Sequence, residues 1–386
     1  MDVSYIINEL AEDRENYYNA VSAPIIQTSN FCFKTVGDLR SALADEYSEF
    51  LYSRGKNPTV EILCKKLAAL DGAEDCLVLN SGAAAIFAAV LANVKTGDHI
   101  VSVRNPYTWA QKLFNDILPR FGIATTYIDG TLIENFERAI LPNTTVIYLE
   151  SPNSWDYAIQ DLKAVAELAK AENIITICDN SYCTPLYQRP IELGIDISIQ
   201  SATKYISGHS DTIAGVLSSN KAMIRKIFNS EYMCIGSGIQ PFNAWLLIRG
   251  LRTLPVRLEQ ISRSTRQIVD FLKQHPIVEE VIFPFDETFA QAELARQQMT
   301  GACGLLTFII KETGFSGIEQ FCNNLQHILL AVSWGGHESL IIPKIAGMAP
   351  ESFNANNRDH RMLRLYVGLE EPGYIIKDLE QALANG

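Results

Sequence analysis

Lys204 ends the tetrapeptide Ser201-Ala202-Thr203-Lys204, which follows the strand-like run Ile197-Ser198-Ile199-Gln200. A lysine at the end of a buried strand needs a reason, because lysines are seldom buried without a partner. One reading is a loop lysine that sends its stem outward to water. The other is an amine that forms a Schiff base, with the Ser201 and Thr203 hydroxyls donating to a phosphate. Asp179 ends a second apolar run, Ile174-Ile175-Thr176-Ile177-Cys178. It suits a turn or helix cap, or it pairs with a pyridinium nitrogen and keeps that ring an electron sink. Ser81-Gly82-Ala83 marks a strand-to-helix junction of small residues. Such a junction lets an anion approach backbone N–H groups; small residues also serve close helix–sheet packing.

These residues need elements to hold them. Val60, Leu63, Leu67 and Leu70 recur at helical spacing, and Gly72 stops that helix. Strand-like runs follow at 76–79, 99–103, 124–128, 145–149, 174–178 and 195–200, with helix-forming stretches at 83–93 and 161–171 between them. This alternation predicts a mostly parallel sheet covered on both faces. From about Pro241 the pattern changes: helices over 244–251 and 257–274, strands over 278–283, 304–310 and 362–367, and a last helix over 375–383. Three regions are therefore expected: an N-terminal arm over 1–58, an α/β domain over 59–240, and a smaller α+β C-terminal domain over 241–386.

Composition narrows the function classes. The chain has 386 residues, 47% hydrophobic and 20% charged, with a net charge of −12. That balance disfavours nucleic acid as a partner. No apolar run approaches the ~20 residues of a membrane span. The start carries Asp2, Glu9, Glu12, Asp13 and Glu15, unlike a secretory or transit peptide, so a cytoplasmic protein is expected. Eight cysteines form no CxxC pair and six histidines are dispersed, so buried thiols are expected and no metal site.

Six segments, taken in order, resemble the Cys/Met-metabolism PLP (pyridoxal 5′-phosphate) enzyme family. They are Tyr52-Ser53-Arg54-Gly55, Ser81-Gly82-Ala83-Ala84-Ala85, Cys178-Asp179-Asn180, Ser201-Ala202-Thr203-Lys204-Tyr205, Ser333-Trp334-Gly335-Gly336 and Arg364-Leu365-Tyr366-Val367-Gly368. The resemblance runs from about residue 24 onward. It implies fold type I, with a seven-stranded-type, mostly parallel sheet. It implies that Lys204 holds PLP and shuttles the proton while Asp179 pairs with the pyridine nitrogen. Gly82, Ala83, Ser201 and Thr203 would bind the phosphate, and Tyr107 would stack on the ring. Arg364, aided by Ser333, would clamp the carboxylate of a small amino-acid substrate. Arg361 is set aside, since three residues' separation puts it on the opposite strand face. Tyr52 and Arg54 would reach the site of a neighbouring subunit, which implies a homo-oligomer, dimer or tetramer. Tyr52, Lys56 and Tyr107 resemble residues at the site's entrance.

Within the family, Ser333-Trp334-Gly335-Gly336 and Glu150-Ser151-Pro152-Asn153-Ser154 are closer to cystathionine β-lyases than to γ-enzymes, and Ser154 would stand near the cofactor's 3′-oxygen. The expectation is therefore β-elimination giving homocysteine, pyruvate and ammonia. The alternatives are a cystathionine γ-synthase, a cystathionine γ-lyase or a methionine γ-lyase.

Overall fold

Seven short strands build the first sheet of the computed structural model, which describes residues 1–311 and 314–384. Its strands are β1 (Asp75–Leu79), β2 (His99–Val103), β3 (Ala124–Ile128), β4 (Thr144–Glu150), β5 (Ile175–Asp179), β6 (Ile197–Gln200) and β7 (Gly215–Ser219). Their order is β1-β7-β6-β5-β4-β2-β3. Strands β2 to β6 pair in parallel, and β7 lies antiparallel between β6 and β1. The first six match sequence expectation within two residues at either end. Strand β7 does not emerge from the sequence pattern. All five of its residues are buried, Ser218 and Ser219 included, so neither alternation nor an apolar run marks it.

Two capped helices frame the sheet. Helix α1 (Pro58–Asp71) starts where Asn57 accepts from the Thr59 N–H at 3.0 Å, with Pro58 in the first turn, and ends at left-handed Gly72. Helix α2 (Gly82–Leu91) is capped by Ser81, whose Oγ accepts from the Ala84 N–H at 3.1 Å.

Helix α3 (Pro241–Gln274) is one helix where the sequence pattern suggested two, and it runs through Pro255. Proline removes one helical hydrogen bond, but apolar residues continue on both sides of it at helical spacing. Ala244, Leu247, Leu251, Leu254, Leu258 and Ile261 are all buried, and this stripe outweighs the break.

Beyond α3 a second sheet has the order β10-β11-β12-β9-β8. Its strands are β8 (Val278–Ile282), β9 (Leu305–Ile310), β10 (Leu329–Leu330), β11 (Leu340–Pro343) and β12 (Met362–Tyr366). Helix α4 (Pro372–Ala384) closes the described chain. The α3 stripe shares one apolar cluster with Val78 and Val216 of the first sheet and Leu305, Ile309 and Met362 of the second.

The first residues dock on their own chain. Ile6 and Ile7 are buried, and Lys66 Nζ donates to the Ile6 carbonyl at 2.9 Å while pairing with the buried Glu12 carboxylate at 3.0 Å. The stretch that follows is open, with Val21 78% and Val36 72% exposed. Among the described residues, no helix is long and apolar enough to cross a membrane.

Candidate functional site

Alternate residues of a strand share a face. Tyr148 and Glu150 of β4, Ile177 and Asp179 of β5, and Ile199 of β6 therefore look the same way, toward the apolar residues of α2. Glu150 and Asp179 are register partners at the strands' C-terminal ends, where open α/β sheets bind their ligands. Ser201 leaves β6 at the same end.

Bare backbone brings the start of α2 against this edge. A Cβ on Gly82 would lie 3.2 Å from Ser201 Cβ, and one on Gly215 would lie 2.1 Å from the Ser81 carbonyl oxygen. The first N–H groups of a helix have no partner within it, so Gly82 and Ala83 present donors beside Ser201. The Ser201 N–H donates to Ser181 Oγ at 2.7 Å, and the Ser181 N–H donates to Asp179 Oδ1 at 2.9 Å. Thr203 is clasped by the residue before β7: its hydroxyl donates to the Ala214 carbonyl at 3.1 Å and accepts from the Ala214 N–H at 3.0 Å.

Lys204 follows in the same turn. Its Nζ donates to Ser333 Oγ at 2.8 Å and lies 5.4 Å from the centre of the Trp334 ring. Gly335 adopts φ +90° and packs its bare Cα on the lysine; a Cβ there would lie 2.7 Å from Lys204 Cα. Burial, then the Arg364 charge, pull the Lys204 pKa down to about 8 against the opposing pull of Asp179. Asp179 is 8% exposed, and burial raises its pKa against the Ser181 hydrogen bonds and the Lys204 charge.

Arg364 projects from β12 into the same region. Its guanidinium donates to Ser154 Oγ at 3.0 Å and to the Val332 carbonyl at 3.2 Å, and lies 5.1 Å from the Trp155 ring centre. Arg361 turns away and pairs with Glu279, as its place on the opposite face requires. Tyr107, 41% exposed, stands where β2 leads into a short helix, and its N–H donates to Glu150 Oε2 at 2.6 Å. Burial, then the Asp179 and Glu150 charges, raise its phenol pKa.

Lys204, Ser333, Arg364, Asp179, Tyr107, Ser201 and Gly82 are thus joined through direct contacts or mutual electrostatics. Tyr52 and Arg54 are elsewhere: with Gln27, Ser29, Gly236 and Gln240 they line a surface groove. Lys56 pairs with Glu61.

The family model for Cys/Met metabolism PLP-dependent enzymes matches residues 4–384. The chain belongs to this family. Its relatives include an L-methionine gamma-lyase of Treponema denticola, 37% identical over 379 residues, covering 96% of this chain and 94% of that protein. A cystathionine gamma-lyase of Homo sapiens is 35% identical over 382 residues, covering 97% of this chain and 91% of its own. The crystal structure of metB from Corynebacterium glutamicum superposes with a TM-score of 0.91 at 30% identity, covering all of this chain and 98% of that one. The fold is accordingly that of a fold-type-I PLP enzyme with a smaller C-terminal part, and PLP is the cofactor.

The residues present fit that cofactor. A buried carboxylate, a lysine of lowered basicity and a bare-backbone cradle beside Ser201 complement a pyridinium, an aldehyde and a phosphate respectively. Sequence reasoning passed over Glu150, Ser181 and Trp155. Glu150 carried the same signal as Asp179, an acidic residue ending an apolar strand. The other two act through contacts between elements. Ser154, expected by resemblance near the 3′-oxygen, accepts a hydrogen bond from Arg364 through its Oγ.

Proposed function

We propose that this PLP enzyme is a carbon–sulfur lyase that eliminates a sulfur group from Cγ of a small amino acid, releasing a thiol, 2-oxobutyrate and ammonia. The observation that carries PLP chemistry on an amino acid is the placement of the Lys204 amine, 2.8 Å from Ser333 Oγ and electrostatically coupled to Asp179 and Arg364; relatives named as lyases support elimination. Bound PLP supplies an electrophilic carbon and an electron-withdrawing ring. Lys204 would attach the cofactor and then, free, take the substrate Cα proton and after it a Cβ proton, which departure of a group from Cγ requires; an amine with pKa near neutrality suits both tasks. Asp179 holds the proton on the pyridine nitrogen. Arg364, steadied by Ser154 and the Val332 carbonyl, grips the α-carboxylate with its planar fork. Tyr107 covers the ring and protonates the leaving sulfur. Gly82 and Ala83 N–H groups and the Ser201 and Thr203 hydroxyls hold the phosphate.

The remaining assignments belong to the same proposal. Residues 59–240 form the cofactor domain and 241–386 the smaller domain, while the open part of 1–58 carries Tyr52 and Arg54 to a neighbouring subunit of a homo-oligomer. The enzyme works in the cytoplasm.

Full-length relatives named as methionine and cystathionine γ-lyases support γ-elimination over the β-elimination that the local motifs favoured. Trp334 beside Lys204 supports β-elimination as the second reading. Incubation with methionine, cystathionine and cystine separates the two. 2-Oxobutyrate from methionine or cystathionine is the expected product; pyruvate alone, from cystathionine or cystine, would establish the β-reaction.

A further inference from the structure

Glu150 is a buried carboxylate that the proposed chemistry leaves unused. It is 6% exposed and ends β4 directly beside Asp179, its register partner on β5. Among the described residues, no lysine or arginine forms an ion pair with it. Its hydrogen bond goes to backbone: Oε2 accepts from the Tyr107 N–H at 2.6 Å. That N–H stands at the first turn of the Thr108–Lys112 helix, where backbone donors lack helical partners.

Two carboxylates set side by side in a buried site cannot both ionise cheaply. Burial and the neighbouring Asp179 push the Glu150 pKa well up, against the Tyr107 N–H and the Arg364 charge. A neutral carboxyl still accepts through its carbonyl oxygen.

We propose that Glu150 is a positioning residue: its carboxyl oxygen fixes the backbone of Tyr107, and so holds the Tyr107 ring over the place that Asp179 serves. The two protein contacts to the cofactor ring are thereby tied to neighbouring strand ends. The inference rests on the placement of Tyr107 on the ring, proposed above.

The test separates position from charge with two conservative substitutions. Glu150→Gln keeps the acceptor at full reach and removes the ionisable group. Glu150→Asp keeps that group and withdraws the acceptor by one methylene. The readout is the rate at which PLP leaves the holoenzyme in the presence of a trapping excess of a PLP-binding amine, followed by the visible absorbance of the bound cofactor. We expect Glu150→Gln to release PLP within about threefold of the unmodified enzyme and Glu150→Asp about tenfold or more faster, the scale of one lost buried hydrogen bond. Glu150→Asp releasing at the unmodified rate, or Glu150→Gln releasing as fast as Glu150→Asp, would overturn the proposal. So would a Glu150→Asp apoprotein whose melting temperature drops in step, since the loss would then be general destabilisation. Tyr107→Ala is the separate arm for the underlying placement: faster release supports it, and unchanged release removes that placement and the Glu150 role with it.

Discussion

A lysine amine that alternates between holding and giving up a proton works best with a pKa near the operating pH. Lys204 reaches about 8 because burial and Arg364 disfavour its charge more than Asp179 favours it. The signs make a test. Attachment of PLP needs the neutral amine, so its rate in the apoenzyme should rise as pH passes upward through about 8. Removing the Arg364 charge in Arg364→Gln should move that midpoint up, and Asp179→Asn should move it down. Stopped-flow absorbance of PLP uptake across this range measures all three; a midpoint unmoved in both variants would contradict the electrostatic account. The same physics explains what was legible. Lys204 and Asp179 stand out because each charged side chain ends or closely follows a buried strand. Trp155 does not, because its contact with Arg364 joins residues far apart in the chain and leaves no local pattern.

At the scale of elements, α3 holds the lysine turn in place. Arg257, 5% exposed, donates from the middle of this helix to the Tyr205 carbonyl at 2.8 Å and to the Gly250 carbonyl at 2.8 Å. Gly208, at φ +70°, lets the guanidinium pass; a Cβ there would lie 2.0 Å from Nη1. Replacing Arg257 by Leu removes the donor from the Tyr205 carbonyl in a buried place. The expected loss is on the order of 2 kcal/mol, read as a lower denaturant midpoint, together with weaker PLP retention because Tyr205 adjoins Lys204. A midpoint within a few tenths of a kcal/mol of the unmodified value would show that the turn holds itself. Helix α3 was readable as two pieces because Pro255 interrupts helix propensity. Its unity comes from packing against both sheets, which a window of sequence does not contain. Strand β7 escaped for the same kind of reason: Gly215, Ser218 and Ser219 are buried by neighbours on either side.

For the whole molecule, the issue is what the open arm is for. Residues 3–12 are locked to their own chain by the buried Lys66–Glu12 pair, yet Tyr18, Val21, Val36 and Leu43 are 59–99% exposed beyond them. Apolar side chains gathered on an exposed stretch point to a covering partner. A net charge of −12 keeps copies soluble without forbidding a local apolar interface. Arg54 stacks on Tyr52 at 5.4 Å in a groove whose lining excludes Lys204. In the proposed oligomer each such groove serves a partner's phosphate, so every site draws Lys204 from one chain and Arg54 from the other. Lys204→Ala and Arg54→Ala should each be inactive or nearly so as pure proteins. Co-expressed in equal amounts, they form mixed dimers in half of all pairings, and each mixed dimer contains one site with both residues intact. Activity should then recover to about one quarter of the unmodified level, the figure that twofold symmetry and random pairing dictate. That quarter is measured on the whole co-expressed pool; mixed dimer isolated through two different tags should reach about one half. If the mixed species stays as inactive as its parents, Arg54 acts within its own chain and the shared-site arrangement is wrong.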